Sequence, residues 1–404
     1  MKIGRALRHR NYRLFFAGQG VSLIGTWLTK FAMSLFTYEL TGSAWMLGLV
    51  AFCSQAPTAL IAPIAGVLVD RWDRHRTLVA TQVLAMLQSA ALAAFALTGW
   101  MTVGWLMILG AWQAVINAFD MPARQSFVRQ MVDDRADLPN AIALNSALVN
   151  LARLIGPVIA AFLWRAVGPG WCFGLDAASY LAVIASLLAM RIAKRDITPS
   201  GKRVLHDLRD GIHYVVHFAE VRTLLVLLAG ISVCGGAYVS LLPALGEGAL
   251  HGGPHAVGYL MAASGAGAMV GVLYVAGRDN VATLAKFAGH CGLALGVGLA
   301  ALELAPNVGT ALPIMVVVGA GLIALWTSTN TCVQSLVDDD KLGRVMSIYA
   351  MVFFTGAPIG ALLEGALAAR IGAVHAFFAA GIGCVVTATW FLAKLPAFPR
   401  ARVC

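Results

Sequence analysis

Charge is what this chain has least of. Charged residues make up 12% of its 404 positions and hydrophobic residues 59%, where a typical soluble domain carries about 25% charged residues. So few charges cannot cover a water-facing surface, which excludes an ordinary soluble globular protein. The seven cysteines are scattered, mostly inside apolar runs, with no C-x-x-C spacing and no Cys/His cluster. Neither a disulfide framework nor a metal site is expected, and no cofactor. Glycine-rich runs such as Gly265-Ala266-Gly267-Ala268-Met269-Val270-Gly271 lack the lysine and hydroxyl residue of a phosphate-binding loop. They read as small-x-x-x-small surfaces for close helix packing. No ATP-binding motif is present, and no nucleophile–base pair or His/Asp/Glu cluster recurs at one depth, so ATP-driven work and membrane-embedded catalysis have no sequence support. The net charge of +10 does not point to nucleic acid, because the basic residues sit in short loops between apolar runs.

What the chain does have is long apolar segments. A helix crosses the hydrocarbon layer in roughly 20 residues. Candidate spans lie at about 12–38, 44–69, 77–97, 102–121, 138–164, 171–190, 222–246, 255–277, 283–304, 310–333, 344–369 and 373–394. They are apolar on all sides and lack the ten-residue alternation of a membrane barrel. An all-α polytopic membrane protein with 12 transmembrane helices is expected, the first run being a span and not a cleaved leader. Placing the N-terminus inside puts all but four of the 29 lysines and arginines in cytoplasmic pieces, the exceptions being Lys30, Arg153, Arg165 and Arg370. That asymmetry makes both termini cytoplasmic.

The single long polar stretch divides the chain into residues 1–190, a linker 191–221, and residues 222–404. Within the linker, Leu205, Leu208, Ile212, Val215 and Val216 fall at helical spacing, as in an amphipathic helix lying on the inner surface. An internal repeat supports the division. Val128-Arg129-Gln130-Met131-Val132-Asp133-Asp134 recurs as Val333-Gln334-Ser335-Leu336-Val337-Asp338-Asp339, Ser146 and Pro157 match Ser347 and Pro358, and Gly66-Val67-Leu68 resembles Gly271-Val272-Leu273. With both halves beginning inside, the repeat is parallel, as in transporters whose substrate site lies near the midplane.

One short turn carries unusual charge density. Gly66-Val67-Leu68-Val69-Asp70-Arg71-Trp72-Asp73-Arg74-His75-Arg76 runs from one apolar segment into the next. It resembles the signature loop of the major facilitator superfamily. Further stretches extend the likeness over most of the chain: Tyr38-Glu39-Leu40-Thr41-Gly42-Ser43-Ala44, Asp120-Met121-Pro122-Ala123-Arg124-Gln125-Ser126-Phe127, Asp137-Leu138-Pro139-Asn140-Ala141-Ile142-Ala143-Leu144-Asn145-Ser146 and Gly343-Arg344-Val345-Met346-Ser347. Together they are similar to the bacterial enterobactin-exporter-like branch, which includes drug efflux proteins. The resemblance implies a major facilitator fold of two parallel six-helix halves in the bacterial inner membrane. It also implies a monomer that exports a small hydrophobic or amphiphilic molecule, siderophore or drug, in exchange for protons by alternating access. Uptake or facilitated transport of a metabolite, and a non-transporting assembly subunit, remain the alternatives. The chain departs from the family pattern at Asp73, where glycine is usual, at Lys30 and Asp176, where amides are common, and at Ala160-Ala161, where glycines follow Gly156-Pro157 in antiporters.

Ionisable groups inside spans cost roughly 2.5–3.5 kcal/mol each on insertion scales, so they face a cavity or a partner. Gln19, Ser22, Thr26 and Lys30 form one polar stripe on span one, either a cavity face or a lysine reaching the outer surface. Ser146, Asn150, Arg153 and Pro157 form another on span five, with Arg153 roughly 16 Å from the outer end at ~1.5 Å per residue. Asp176 could pair with Arg153, as a structural ion pair or as a titrating partner to a cation that holds an anionic substrate. Glu364 on span eleven is a proton-carrier candidate whose place near the outer end favours a solvated role. On span ten Trp326, Thr327, Ser328, Thr329, Asn330, Thr331 and Gln334, with Tyr238, could line a ligand or join helices. A gating latch is expected from Gly66, Asp70, Arg71 and Arg74. In the family such a loop meets span eleven, here near Leu342–Met346 with Arg344, and Asp120 is the candidate partner of Arg74.

Overall fold

A computed structural model of the chain describes residues 4–132, 134, 137–191, 204–276, 278 and 280–395, and these contain no strand. A one-turn 3-10 helix, Arg5–Arg8, precedes α1 (Arg10–Thr41). The second span is α2 (Ala44–Cys53) and α3 (Ala56–Arg71), separated at Ser54-Gln55 just before Pro57. Then come α4 (Arg74–Leu97), α5 (Val103–Met131), α6 (Leu138–Val167) and α7 (Pro169–Leu188). After the linker, α8 (Val204–His217) leads into the seventh span, which is built in three pieces: α9 (Ala219–Cys234), α10 (Tyr238–Pro243) and a π-helical turn, Ala244–Ala249. The last five spans are α11 (Gly253–Val275), α12 (Val281–Ala301), α13 (Val308–Leu336), α14 (Asp339–Ile371) and α15 (Ala373–Lys394). Eleven segments are long and apolar enough to cross a membrane. With α1, whose polar stripe lowers its hydropathy, they make the twelve spans expected.

The helix ends have local causes. Asp73 caps α4, its Oδ1 accepting from the Arg76 amide at 2.8 Å, which gives this acid a reason to stand where glycine is usual. Asn280 and Asn307 cap α12 and α13 in the same way. Gly168 joins α6 to α7 and Gly372 joins α14 to α15, with φ of 87° and 88°. Only glycine takes that conformation without strain, and the two turns fall at matching places in the two halves. The seventh span breaks where Gly235-Gly236 meets Ala237, and Pro243 starts its π-helical turn. A continuous helix over 222–246 was the expectation. Paired glycines lower helix propensity and proline lacks the amide that would continue it, so the break follows from composition.

The helices form two compact units, Met1–Leu40 with Cys53–Gly201, and Thr41–Phe52 with Lys202–Cys404. The first holds α1 and α3–α7 around Tyr12, Phe15, Leu78, Phe127, Met131 and Leu187. The second holds α8–α15 and most of α2. Here the expected glycine packing is present: a Cβ on Gly271 of α11 would stand 2.7 Å from the Ala320 carbonyl of α13. The linker helix α8 also belongs to this unit. A Cβ on its Gly211 would stand 3.0 Å from Ile348 Cδ1 and 3.2 Å from the Arg344 carbonyl of α14, so the two helices nearly touch at their backbones. Val215 is buried while Ile212 and Val216 are exposed, which leaves α8 one packed side and one free apolar side.

Candidate functional site

In the first unit the spanning cations converge on one indole. Trp27 is buried in α1. Lys30 Nζ lies 4.7 Å from its ring centroid and Arg153 Cζ of α6 lies 5.1 Å from it. Lys30 reaches the ring from the same helix, one turn on. Arg153 reaches it because Gly156, one turn further along α6, lets the Trp27 side chain press against the α6 backbone. The two charges are therefore at most about 10 Å apart, where their repulsion at an effective dielectric of about 20 is about 2 kcal/mol. Each gains roughly 0.5–2 kcal/mol from the ring. The indole thus offsets the repulsion between the two charges.

The expected pairing of Arg153 with Asp176 is not what the fold forms. Asp176 Oδ2 accepts from Thr29 Oγ1 at 2.7 Å and Ser89 Oγ at 2.8 Å, deep between α1, α4 and α7, and Arg153 is not among the groups that hold it. Gly25 makes room for it, since a Cβ there would stand 2.5 Å from Asp176 Oδ1. The carboxyl faces the packed interior of the unit, whereas Arg153 faces the indole, and helical spacing alone does not distinguish the two. Of the other stripe residues, Gln19 is buried, Thr26 Oγ1 donates to the Ser22 carbonyl, and Asn150 Nδ2 donates to the Ser146 carbonyl at 2.9 Å.

Asp120 is also differently engaged. It is buried at the inner end of α5 and accepts from Thr81 Oγ1 at 2.9 Å, Gln82 Nε2 at 2.7 Å and Arg124, its neighbour one turn along. These three groups do what the sequence assigned to Arg74, because α4 and α5 lie side by side over that stretch. Gly66 stands in open space and Arg71 is exposed. The side chain of Asp70 lies outside the described residues. In the second unit Arg344 Nη1 is bonded to Asp210 of α8 at 3.3 Å, and Lys341 Nζ lies 5.0 Å from the Tyr214 ring.

The second unit carries an aromatic wall rather than a hydroxyl one. Trp326 of α13 meets Phe353 of α14 edge-on at 4.7 Å, Tyr349 stacks on Phe353, and the Tyr349 hydroxyl donates to the Trp326 carbonyl at 3.1 Å. The buried Trp326 Nε1 has no acceptor among the described residues. Beside it Gln334 donates to Asn330 at 2.6 Å. The span-ten threonines, in contrast, turn back on their own helix: Thr327, Thr329 and Thr331 each bond a carbonyl four residues earlier. Tyr238 is buried and bonded to Ser264 of α11, a packing contact. Glu364, expected to be solvated, is buried, and neither of its oxygens has a hydrogen-bond partner among the described residues.

One cluster had no counterpart in the sequence reading. Buried Asp137, which precedes α6, binds Arg5 at 3.1 Å, Arg8 at 2.8 Å and His9 Nε2 at 3.0 Å, while the Ala6 amide donates to Asn140 and Tyr12 donates to the Ala141 carbonyl. The N-terminal turn is thereby pinned over the start of α6. The signal was available in the pairing of an N-terminal basic run with an Asp-Leu-Pro-Asn motif, but nothing local connects two segments that far apart in the chain. The bond from His9, helped by the Arg5 and Arg8 charges, holds the Asp137 carboxyl below its ordinary range.

The family model of transmembrane secretion effectors matches residues 5–402. The chain is 24% identical to a staphyloferrin A transporter of Staphylococcus aureus, over 94% of this chain and 96% of that one. It is 25% identical to the enterobactin exporter EntS of Shigella flexneri, over 98% and 94%, and 24% identical to macrolide efflux protein A of Streptococcus pyogenes, over 93% and 94%. Among solved structures it is similar to the nucleoside transporter NupG, with TM-score 0.72 at 11% identity over 98% of this chain and 100% of that one. A bacterial homologue of the human lysosomal transporter Spinster matches with TM-score 0.72 at 15% identity, over 96% and 98%.

Proposed function

From the premise that the chain belongs to the transmembrane secretion effectors of the major facilitator superfamily, we propose that it exports a small amphiphilic molecule bearing negative charge, in exchange for protons and by alternating access. The observation that carries the charge preference is the pair of cations, Lys30 and Arg153, over the Trp27 indole. A carboxylate or phenolate group on the cargo would bind both. Names of relatives support export of siderophores or macrolides as the class of work. With no ATP-binding motif in the sequence, an ion gradient is the energy source.

The protein works as a monomer in the bacterial inner membrane with both termini cytoplasmic, which the placement of lysines and arginines supports. Its signature loop is the gate at the inner face. The test is accumulation in an efflux-deficient bacterial host expressing the chain, with enterobactin, staphyloferrin A and erythromycin as probes. Lower intracellular enterobactin or staphyloferrin A, restored to the control level by a protonophore, is the expected result. Higher accumulation on expression would make the protein an importer, and insensitivity to the protonophore would remove proton exchange.

A further inference from the structure

Four acidic side chains are buried among the described residues: Asp120, Asp137, Asp176 and Glu364. The first three each accept at least two bonds from side chains around them. Glu364 accepts none, at either oxygen, although it is only 5% exposed. A bare carboxylate in a protein interior costs several kcal/mol, and a bound proton removes that cost.

Its surroundings are those of a site. Gly356, Gly360 and Glu364 recur every four residues on one face of α14. A Cβ on Gly356 would meet Ser232 of α9, and one on Gly360 would stand 3.0 Å from the Val233 carbonyl carbon. The face that ends in Glu364 is thus pressed on α9 at its last turn, beside the break at Gly235-Gly236-Ala237. Interrupted spans expose backbone polar groups inside the bilayer, and transporters place coupling ions there. The Ser232 hydroxyl, also buried, has no partner among the described residues either. The titratable groups that interact with Glu364 are Cys234 of α9 and Cys384 of α15. From the other helices packed on α14, Tyr238 of α10 is bonded to Ser264, while Asp210 and His213 of α8 lie toward the opposite end of α14. One carboxyl beside two thiols offers no oxygen cage for a hard metal cation.

We propose that Glu364 is the proton-binding group of the transport cycle. It holds a proton in the conformation described here and releases it in the conformation that opens the α9–α10 break to water. This rests on the proton exchange proposed above, and it moves that role away from Asp176, whose Oδ2 already accepts from Thr29 and Ser89.

The experiment pairs a spectroscopic readout with a flux readout on purified full-length protein. In infrared difference spectra between alkaline and neutral pH, the wild type should show the carbonyl band of a protonated carboxylic acid that E364Q lacks and E364D retains. In proteoliposomes with enterobactin as probe, E364Q should lose movement driven by a pH gradient while keeping exchange of labelled for unlabelled probe, and E364D should recover part of the driven movement. An identical band in wild type and E364Q overturns the proposal, as does gradient-driven movement that survives in E364Q. Wild-type movement indifferent to the pH gradient would defeat proton exchange itself, and the infrared comparison would still decide whether Glu364 carries a proton. Retained exchange in E364Q separates loss of coupling from loss of folding.

Discussion

Single side chains assign different work to residues that the sequence placed side by side. Arg153 and Asp176 both looked like buried charges of span five and span six, yet one faces an indole and the other a nest of hydroxyls. Arg153→Glu should therefore reduce export of an anionic probe such as enterobactin by at least about tenfold, or about 1.4 kcal/mol, with the protein still present in the membrane; unchanged export in the accumulation assay would remove the anion site. Asp176→Asn keeps the shape and leaves an amide oxygen to accept from Thr29 and Ser89. It should transport within about fivefold of wild type, since a single neutral hydrogen bond contributes only about 1 kcal/mol. A complete loss of flux in Asp176→Asn would return the coupling role to this residue.

At the level of elements, the N-terminal turn is held as a unit. Its docking depends on Asp137 remaining ionised, and the Asp137 carboxyl is held below its ordinary range by His9, Arg5 and Arg8. A depressed acid contributes stability that is present above its unfolded value and lost as pH falls through the folded one. Docking should thus be complete at neutral pH and fail only below the usual aspartate range of about 4. Hydrogen exchange across residues 5–13 should rise on acidification there, and Asp137→Asn should show the same rise at neutral pH with the other helices still protected. Broken spans belong to the same scale. The interruptions at Ser54-Gln55 and Gly235-Gly236-Ala237 each put non-helical backbone within a span, where a continuous helix could not change shape without breaking hydrogen bonds.

For the whole molecule, the proposed alternating access requires an inner gate that opens and closes. The signature loop sets Asp70 in the last turn of α3, just before a turn of only two residues, Trp72 and Asp73, into α4, stiffened by the Asp73 cap and by Trp72 stacked on Phe119 at 5.9 Å. Such a turn transmits motion rather than absorbing it. Asp70→Asn should abolish flux while leaving the amount of protein in the membrane unchanged, measured by transport and immunoblot on the same vesicles. Near-normal transport would end the gating role of the loop.

Apolar run length by itself determined the span count and the all-helical membrane class, because the bilayer imposes a length rule that each span must satisfy locally. Helical stripes located Lys30, Arg153 and Asn150 on polar faces for the same reason. Which partner each face meets was decided by tertiary structure. The Trp27 ring joins Lys30 to Arg153, Thr29 and Ser89 claim Asp176, Arg124 claims Asp120, and Arg5, Arg8 and His9 claim Asp137. The contacts among these that join different helices depend on the rotation of one helix against another, set by where glycines such as Gly25 and Gly156 let backbones approach. Glu364 shows the difference most plainly. Its position along the span suggested solvent, and only the packing of α14 against α9 left it buried and without a hydrogen-bond partner among the described residues.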